Sequence, residues 1–342
     1  MKELGYVRPA DSAQAVATVA PDPTARFLAG GTNLVDHLKL GVATPETLVD
    51  VSHLPLDAIE EVDGGLRVGA NVRNSDLAAH PRVRAEWPAV ARALLAGASG
   101  QIRNQATTGG NLLQRTRCVY FQDATTPCNK REPGSGCSAI GGYEHYNAVL
   151  GASPACVTVH PSDLAVALAA VDATVLTLTA EGERRIPAAE LHRLPGDEPD
   201  RDTVLGHGEL ITGVELPPSA AARRSTYVKV RDRASYAFAL VSVAVGVDLA
   251  DDLTVRDVRI AWGGVAHKPW RATRAEDTLR GTRLTEDAVR AAAGEELRAA
   301  DPGPGAAYKV PMVRNTTALA FRRLVPELDT TPDATPDSEE GR

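Results

Sequence analysis

The chain has 342 residues, with 44 acidic and 37 basic side chains and a formal net charge of −7. A chain of this length can bury more than one hydrophobic core, and its acidic balance argues against nucleic acid as a partner. No apolar run reaches the ~18 residues of a transmembrane helix, and the N-terminus lacks the charged-then-apolar pattern of a signal peptide. The sequence therefore predicts a globular protein of two or three domains with no membrane span, cytoplasmic by default.

The first candidate ligand-binding segment is a glycine turn. Residues 26–29 read as a short strand that breaks at Gly30 and Gly31, and a helical pattern follows with Thr32 or Asn33 as its N-cap. Glycines let the backbone approach a ligand closely, and the start of a helix presents free N–H groups to an anion. The segment is either a phosphate cradle or a simple strand-to-helix turn.

Further strands and a second glycine segment follow. Residues 47–51 and 65–70 are predicted strands and 82–96 a helix, an order typical of α+β or α/β domains. The run Thr107-Thr108-Gly109-Gly110-Asn111 then offers hydroxyls, an amide and flexible backbone without a fixed charge. That chemistry suits a diphosphate or a ribityl chain. Neither glycine segment matches the dinucleotide fingerprint or the P-loop.

All four cysteines lie in one insertion, about residues 115–158. Nine, eight and eighteen residues separate Cys118, Cys128, Cys137 and Cys156. The tight CxxC pairs usual in zinc ribbons are missing, whereas iron–sulfur clusters accept four thiolates. Spacing alone favours a cluster but leaves zinc and free thiols open. Four basic side chains of the insertion either offset the charge of a thiolate cluster or are solvated loop charges. They are Arg115, Arg117, Lys130 and Arg131.

The remaining sequence reads as a second set of strands and helices. Ser162 is the predicted N-cap of a helix over 163–170. An acidic residue is electrostatically favoured at a helix N-terminus, so a role in capping alone accounts for Asp163 as well as a contact with a ligand does. Strands are predicted at 173–179, 210–216, 226–230, 237–247 and 255–262, and helices at about 273–280, 285–299 and 310–324. A Pro-Pro pair near 218 marks a domain boundary. Strands followed by helices indicate a small α+β domain, and the acidic, Pro- and Thr-rich sequence from 327 predicts a disordered tail.

Three motifs together resemble one known family. They are Phe27-Leu28-Ala29-Gly30-Gly31-Thr32-Asn33-Leu34, the Arg-Asn-x-Ala-Thr-x-Gly-Gly-Asn-Leu core within 101–112, and Pro161-Ser162-Asp163. This combination resembles the FAD-binding medium subunit of molybdenum-containing hydroxylases, the xanthine dehydrogenase and aldehyde oxidoreductase group, over about residues 1–325. The cysteine insertion resembles that of the bacterial periplasmic-type aldehyde oxidoreductase FAD subunit, which carries an additional [4Fe–4S] cluster.

The resemblance implies an α+β fold with a two-part FAD-binding domain of the PCMH or vanillyl-alcohol-oxidase type. That domain would span 1–218, a small α+β C-terminal domain would span 224–325, and a disordered acidic tail would span 327–342. The implied cofactor-binding residues are Leu28, Ala29, Gly30, Gly31, Thr32, Asn33, Leu34, Thr107, Thr108, Gly109, Gly110, Asn111, Asp163, Ile211 and Lys229. The implied ligands of a [4Fe–4S] cluster are Cys118, Cys128, Cys137 and Cys156.

Each group of residues has a role implied by the same resemblance. Residues 28–34 would hold the pyrophosphate and adenosine side of FAD, and 107–111 would contact its phosphates and ribityl chain. Asp163 would accept a hydrogen bond from the cofactor's hydroxyls. Ile211 and Lys229 would line the flavin, although a lysine at a strand end on a solvated face is the alternative for Lys229.

The implied function is electron transfer within an oxidoreductase. Substrate would be hydroxylated at a molybdenum cofactor on a separate large subunit. Electrons would then pass through [2Fe–2S] clusters of a small subunit to FAD on this chain and on to an external acceptor. The alternatives are the FAD subunit of a xanthine-type or hydroxybenzoyl-CoA-type molybdoenzyme, or a stand-alone flavin dehydrogenase, for which no catalytic base is evident. Periplasmic export with a signal-bearing partner is the alternative to the cytoplasm.

Overall fold

A computed structural model describes residues 3–329 and folds them around three β-sheets. The first consists of β1 Gly5–Val7, β2 Ala25–Leu28 and β3 Thr47–Asp50, which are parallel in the order β1-β3-β2. The second consists of β4 Ile59–Val62, β5 Gly65–Gly69, β6 Thr174–Thr179, β7 Gly182–Pro187 and β8 Leu210–Leu216, antiparallel in the order β4-β5-β8-β6-β7. The third consists of β9 Ser225–Val230, β10 Val241–Leu249, β11 Val255–Gly263 and β12 Trp270–Arg271, antiparallel in the order β12-β11-β10-β9.

Helices cover the faces and ends of these sheets. They are α1 Ser12–Val19, α2 Leu34–Leu40, α3 Asn74–Ala79, α4 Pro81–Glu86, α5 Pro88–Ala96, α6 Gly100–Gln105, α7 Thr108–Leu112, α8 Val119–Gln122, α9 Asp163–Ala170, α10 Ala188–Leu191, α11 Ala220–Arg223, α12 Thr273–Leu279, α13 Glu286–Leu297 and α14 Lys309–Leu324. Short 3-10 helices form at Pro304–Ala306 and Pro326–Asp329. None of the helices between residues 3 and 329 is long and apolar enough to cross a membrane.

The predicted α+β class is confirmed, and the predicted strands agree with the structure to within a few residues. The predicted helix 82–96 is wrong as a single element, because it divides at Trp87 into α4 and α5. Pro88 explains the break, since a proline disfavours the helical conformation of the residue before it. The predicted tail begins as the 3-10 helix Pro326–Asp329. The remainder of the tail, residues 330–342, lies outside the described residues.

Helix α9 packs between helices of the N-terminal half and the third sheet. All eight of its residues are buried, and it packs against α5 and strands β10 and β11. A helix that is apolar all round belongs in a protein interior. The same hydrophobic core includes residues of the third sheet, among them Tyr227 and Ala261. The N-terminus of α9 is therefore held in a fixed position between the two halves of the chain.

Lys309 is fully buried at the start of α14, and its Nζ donates to the backbone carbonyls of Asn147 and Gly264, both at 2.9 Å. Burial lowers the pKa of Lys309 to about 7, because the charged form loses its hydration. An unfolded lysine titrates near ~10.4, so between about pH 7 and pH 10 the unfolded chain binds more protons than the folded one. In that window this group makes the free energy of unfolding rise with pH.

We therefore expect the free energy of unfolding of the wild-type protein to rise by about 1 kcal/mol per pH unit between pH 8 and 10 relative to Lys309→Met. Urea unfolding at several pH values measures both slopes. Lys39→Met, at an exposed lysine, is the matched control and should keep the wild-type slope. Equal slopes for the wild type and Lys309→Met would contradict the expectation.

Candidate functional site

One large cavity of about 550 Å³ opens beside the third sheet, next to α5, α7 and the N-terminus of α9. Residues from all three sequence motifs and from strand β9 line it. The predicted cofactor-binding residues on its wall are Thr32, Asn33, Gly110, Asn111, Asp163 and Lys229. Segments that are far apart in the sequence therefore meet at one place.

The first glycine segment packs directly against the end of α6. A Cβ added at Gly30 would lie 2.2 Å from the carbonyl oxygen of Gln105, so only glycine fits there. Gly31 adopts φ +74°, a left-handed conformation that favours glycine. Asn33 is the N-cap of α2, and its Oδ1 accepts from the backbone N–H of Arg115 at 3.1 Å. That bond leaves the Nδ2 donor of Asn33 available to the cavity.

The second glycine segment forms a short helical turn, α7. Thr107 caps it, because its Oγ1 accepts from the N–H of Gly110 at 3.2 Å. A Cβ added at Gly109 would lie 3.1 Å from that of Ala70 and 3.5 Å from a methyl group of Ile211. The glycine thus serves close packing of α7 on the second sheet.

The third motif joins the second one to the C-terminal half. Ser162 caps α9 by accepting from the N–H of Ala165 at 3.0 Å, and its hydroxyl donates to Oδ1 of Asn111 at 2.6 Å. Asp163 accepts from Lys229 Nζ at 2.7 Å and from the Tyr227 hydroxyl at 2.5 Å. The pair is buried, with 9% of the Asp163 and 3% of the Lys229 side chain exposed. Lys229 is therefore not on a solvated face.

Burial raises the pKa of Tyr227 well above its usual range, and the Asp163 carboxylate, which accepts its hydrogen bond, raises it further. Tyr227 therefore stays protonated and donates to Asp163. With Lys229 on the other oxygen, both carboxylate oxygens of Asp163 already have a protein donor, and each retains further acceptor capacity for a ligand hydroxyl.

The other nine predicted cofactor-binding residues do not line the cavity. They are Leu28, Ala29, Gly30, Gly31, Leu34, Thr107, Thr108, Gly109 and Ile211. The five residues of the first glycine segment in this list are half-buried, whereas Thr107, Thr108, Gly109 and Ile211 are buried. Ile211 faces the core behind Gly109, with 4% of its surface exposed, because alternate residues of β8 point to opposite faces of the sheet.

Five polar side chains on the cavity wall carry a buried atom that has no hydrogen-bond partner among the described residues. These atoms are Asn33 Nδ2, Asn74 Oδ1, Arg117 Nε, His160 Nε2 and Ser242 Oγ. Each such atom costs about 1–3 kcal/mol if it stays unpaired. A cavity of this size with a few convergent polar groups is usual for a cofactor site. Donors and acceptors occur together, so the residues fit FAD, which carries phosphates, hydroxyls and ring nitrogens.

The four cysteines line a second, much smaller pocket of about 10 Å³, and none of them is in a disulfide. Cys128 and Cys156 are buried, whereas Cys118 and Cys137 are partly exposed. Burial raises the pKa of Cys156 to about 11 and that of Cys118 in the same direction. The thiols therefore line one pocket, although they come from four places in the insertion.

The four thiols of this pocket are the donor set that a [4Fe–4S] cluster requires, whereas a single zinc ion needs its ligands closer together. Within residues 3–329, no three His, Cys, Asp or Glu side chains are close enough together to hold one ion, whereas zinc needs its thiolates at about 2.3 Å from a common centre. In a [4Fe–4S] cluster each cysteine binds a different iron, so its ligands are spaced more widely.

Basic side chains of the insertion have different environments. Lys130 is 2% exposed and pairs with Asp202, which also accepts from Arg115 Nε at 2.6 Å. Burial alone would raise the pKa of Asp202, but the Lys130 and Arg115 charges hold it well below its usual range. Arg131 donates to the carbonyls of Tyr120 and Phe121, both at 2.9 Å. Lys130 and Arg131 are therefore not solvated loop charges, which was one of the two interpretations that the sequence allowed.

Sequence reasoning missed several residues of both sites. The large cavity is also lined by Asn74 and Ser242, and Tyr227 donates to Asp163 on its wall. Asp202 contacts Lys130 of the cysteine insertion from a distant loop. No local pattern surrounds any of them. His160 directly precedes the Pro161-Ser162-Asp163 motif but lies outside it, and it also lines the large cavity.

Comparison with known proteins agrees with this geometry. Residues 2–219 match a family described as the FAD binding domain in molybdopterin dehydrogenase, and residues 226–324 match the CO dehydrogenase flavoprotein C-terminal domain. The chain is 54% identical over 281 residues to the aldehyde oxidoreductase FAD-binding subunit PaoB of Escherichia coli strain K12, covering 82% of this chain and 86% of that protein. It is 27% identical to the glyceraldehyde dehydrogenase medium chain of Sulfolobus acidocaldarius, covering 94% and 98%.

A solved structure has the same fold. It is a carbon monoxide dehydrogenase from Hydrogenophaga pseudoflava, in a form that lacks the Mo-pyranopterin moiety of its molybdenum cofactor, with a TM-score of 0.73 and 26% identity over 94% of this chain and 96% of that one. The resemblance inferred from the three motifs is confirmed. The chain therefore belongs to the FAD-binding subunits of molybdenum hydroxylases and is an oxidoreductase subunit.

Proposed function

We propose that this chain is the FAD-binding electron-transfer subunit of a molybdenum-dependent aldehyde oxidoreductase and that its four cysteines hold a [4Fe–4S] cluster. The observation that carries the proposal is the meeting of all three glycine and aspartate motifs at one cavity with unpartnered polar atoms. Identity of 54% to an aldehyde oxidoreductase FAD-binding subunit supports the aldehyde branch over the xanthine-type and hydroxybenzoyl-CoA-type alternatives.

The residues around the cavity have distinct roles in this proposal. Asn33 Nδ2 donates to the phosphates, because its Oδ1 is already held by Arg115. Asp163 accepts from a cofactor hydroxyl, and Lys229 and Tyr227 hold its carboxylate in position. When bound, FAD takes up electrons singly or in pairs and passes them to an acceptor. We propose domain limits of 1–218 and 224–325 around this site.

The partners follow from the same reading. We infer a large subunit with the molybdenum cofactor, which binds the aldehyde, and a small subunit with [2Fe–2S] clusters, which feeds electrons to this chain. Substrate choice then belongs to the large subunit. The compartment would be that of the complex: the cytoplasm, or the periplasm if a partner bears the export signal.

Anaerobic purification of the chain with quantified flavin, iron and sulfide tests both cofactors. We expect one FAD and about four irons per chain for a cubane held by four cysteines. Cys128→Ser should lose the iron and keep the flavin, whereas Ser138→Ala, which removes a hydroxyl next to Cys137, should keep both. Flavin without iron would overturn the cluster, and iron or zinc without flavin would overturn the whole proposal.

A second measurement separates an electron-transfer subunit from a stand-alone flavin dehydrogenase. Under anaerobic conditions an aldehyde should reduce the flavin of the complete complex and leave that of the isolated chain oxidised, because no catalytic base or substrate site of this chain is involved. Bleaching of the isolated chain's flavin by aldehyde would instead support a dehydrogenase that acts directly.

A further inference from the structure

We propose that Lys130 supplies a fixed positive charge that sets the reduction potential of the cluster in the cysteine pocket, and that Asp202 limits how much of this charge the pocket experiences. The inference rests on the cluster proposed above. It concerns two residues of this chain and is independent of how FAD binds.

Lys130 is part of the pocket wall. It lines the same pocket as all four cysteines, and 1% of its side chain is exposed. Of the four basic residues of the insertion it alone has this position, since Arg131 binds the carbonyls of Tyr120 and Phe121 and the Arg117 guanidinium lies 4.9 Å from the ring of Phe238 at the large cavity. Lys130 is therefore the one basic side chain of the insertion that lines the cysteine pocket.

The partners of Lys130 hold its charge in place. Its Nζ donates to the carbonyl oxygen of Pro199 at 2.7 Å and to Asp202. Arg115 holds the other carboxylate oxygen of Asp202 at 2.6 Å, so the carboxylate cannot turn away. An ammonium has three donors, and two are used among residues 3–329. The arrangement therefore fixes the ammonium, with one donor not used among these residues, on a side chain that lines the pocket of the four thiols.

Electrostatics gives the sign of the effect. A cluster held by four thiolates is anionic and becomes more so on reduction, and net charge and hydrogen bonds to the sulfurs set its potential. A nearby cation stabilises the reduced form, and in a pocket shielded from water this interaction is stronger than at the surface. Removing Lys130 should lower the potential, whereas removing the negative charge of Asp202 should raise it.

Anaerobic redox titration of the purified FAD-loaded chain, followed by electron paramagnetic resonance, tests both signs. At the wild-type midpoint potential we expect the reduced-to-oxidised ratio of Lys130→Met to fall at least tenfold, which is 59 mV for a one-electron couple. Asp202→Asn should shift the ratio in the opposite direction. Lys309→Met, which removes an equally buried lysine outside this pocket, should leave the ratio unchanged.

The outcomes separate the two proposals. A wild-type chain without iron would overturn the cluster and this inference together. Full iron content with an unshifted potential in Lys130→Met, or shifts of the same sign in Lys130→Met and Asp202→Asn, would overturn this inference alone. If Lys130→Met loses its iron, the other two variants decide. A raised cluster potential in Asp202→Asn together with a wild-type potential in Lys130→Arg would support the inference. A lowered or unchanged potential in Asp202→Asn would overturn it.

Discussion

Replacing Lys229 with methionine is expected to lower the free energy of unfolding by about 3–5 kcal/mol, the usual result of removing one partner of a buried ion pair. The change leaves the Asp163 carboxylate with 9% of its side chain exposed and without its cation. Methionine has nearly the same length, so the loss comes from the unpaired charge rather than from a cavity. Urea unfolding of the apoprotein measures it.

A double variant distinguishes an unpaired charge from a general packing defect. Asp163→Asn combined with Lys229→Met removes both charges and keeps a group that accepts from Tyr227. It should recover at least half of the stability that Lys229→Met loses, because contacting residues are not additive. Lys39→Met, at an exposed position, should change stability by no more than about 0.5 kcal/mol. A single variant as stable as the wild type would show that the pair is not needed for folding.

The same substitution should also weaken FAD binding. Asp163 and Lys229 are both on the cavity wall, and a displaced carboxylate would no longer meet the cofactor's hydroxyls in the proposed geometry. We expect at least tenfold weaker retention of FAD, or about 1.4 kcal/mol, measured as the concentration of free FAD needed to half-saturate the apoprotein. An unchanged affinity would place the cofactor hydroxyls elsewhere.

The spacing of apolar residues along the chain explains which helices and strands could be predicted and which could not. Alternating and continuous apolar runs identified strands such as β10 and β11, because their side chains pack on a core. The break between α4 and α5 depends on one proline, and the helical spacing of apolar residues continues across it, so the spacing alone does not reveal the break. The edge strands β4 and β7 are polar and partly exposed, so they carry little hydrophobic signal.

The candidate sites show the same division between local and distant information. Glycine and capping residues indicated the three segments around the cavity, because their roles are set by neighbours in the sequence. The partner of Asp163, by contrast, is 66 positions away and that of Lys130 is 72 positions away. A lysine that is buried in an ion pair and one that is solvated look identical in a sequence. Only the fold identifies Lys130 and Lys229 as fixed charges.

The contact between the first glycine segment and the end of α6 gives the second large effect, for Gly30→Ala. The added Cβ would lie 2.2 Å from the carbonyl oxygen of Gln105, and the obstacle is backbone, so the first turn and the end of α6 must separate. The Gln105 side chain also donates to the carbonyl oxygen of Gly30 at 3.2 Å, and that bond would be strained. We expect a loss of about 1–3 kcal/mol in the free energy of unfolding, as for other overpacked sites.

Gly30→Ala should also lose most of its FAD, because the turn positions Thr32 and Asn33 on the cavity wall. Gly100→Ala is the matched control: it lies at the start of α6, and nothing lies within 4 Å of its added Cβ. Alanine is the better helix former by about 1 kcal/mol, so this control should keep its FAD and be at least as stable as the wild type. If both variants retain a wild-type flavin-to-protein ratio, the close approach at Gly30 serves the turn alone and not the cofactor.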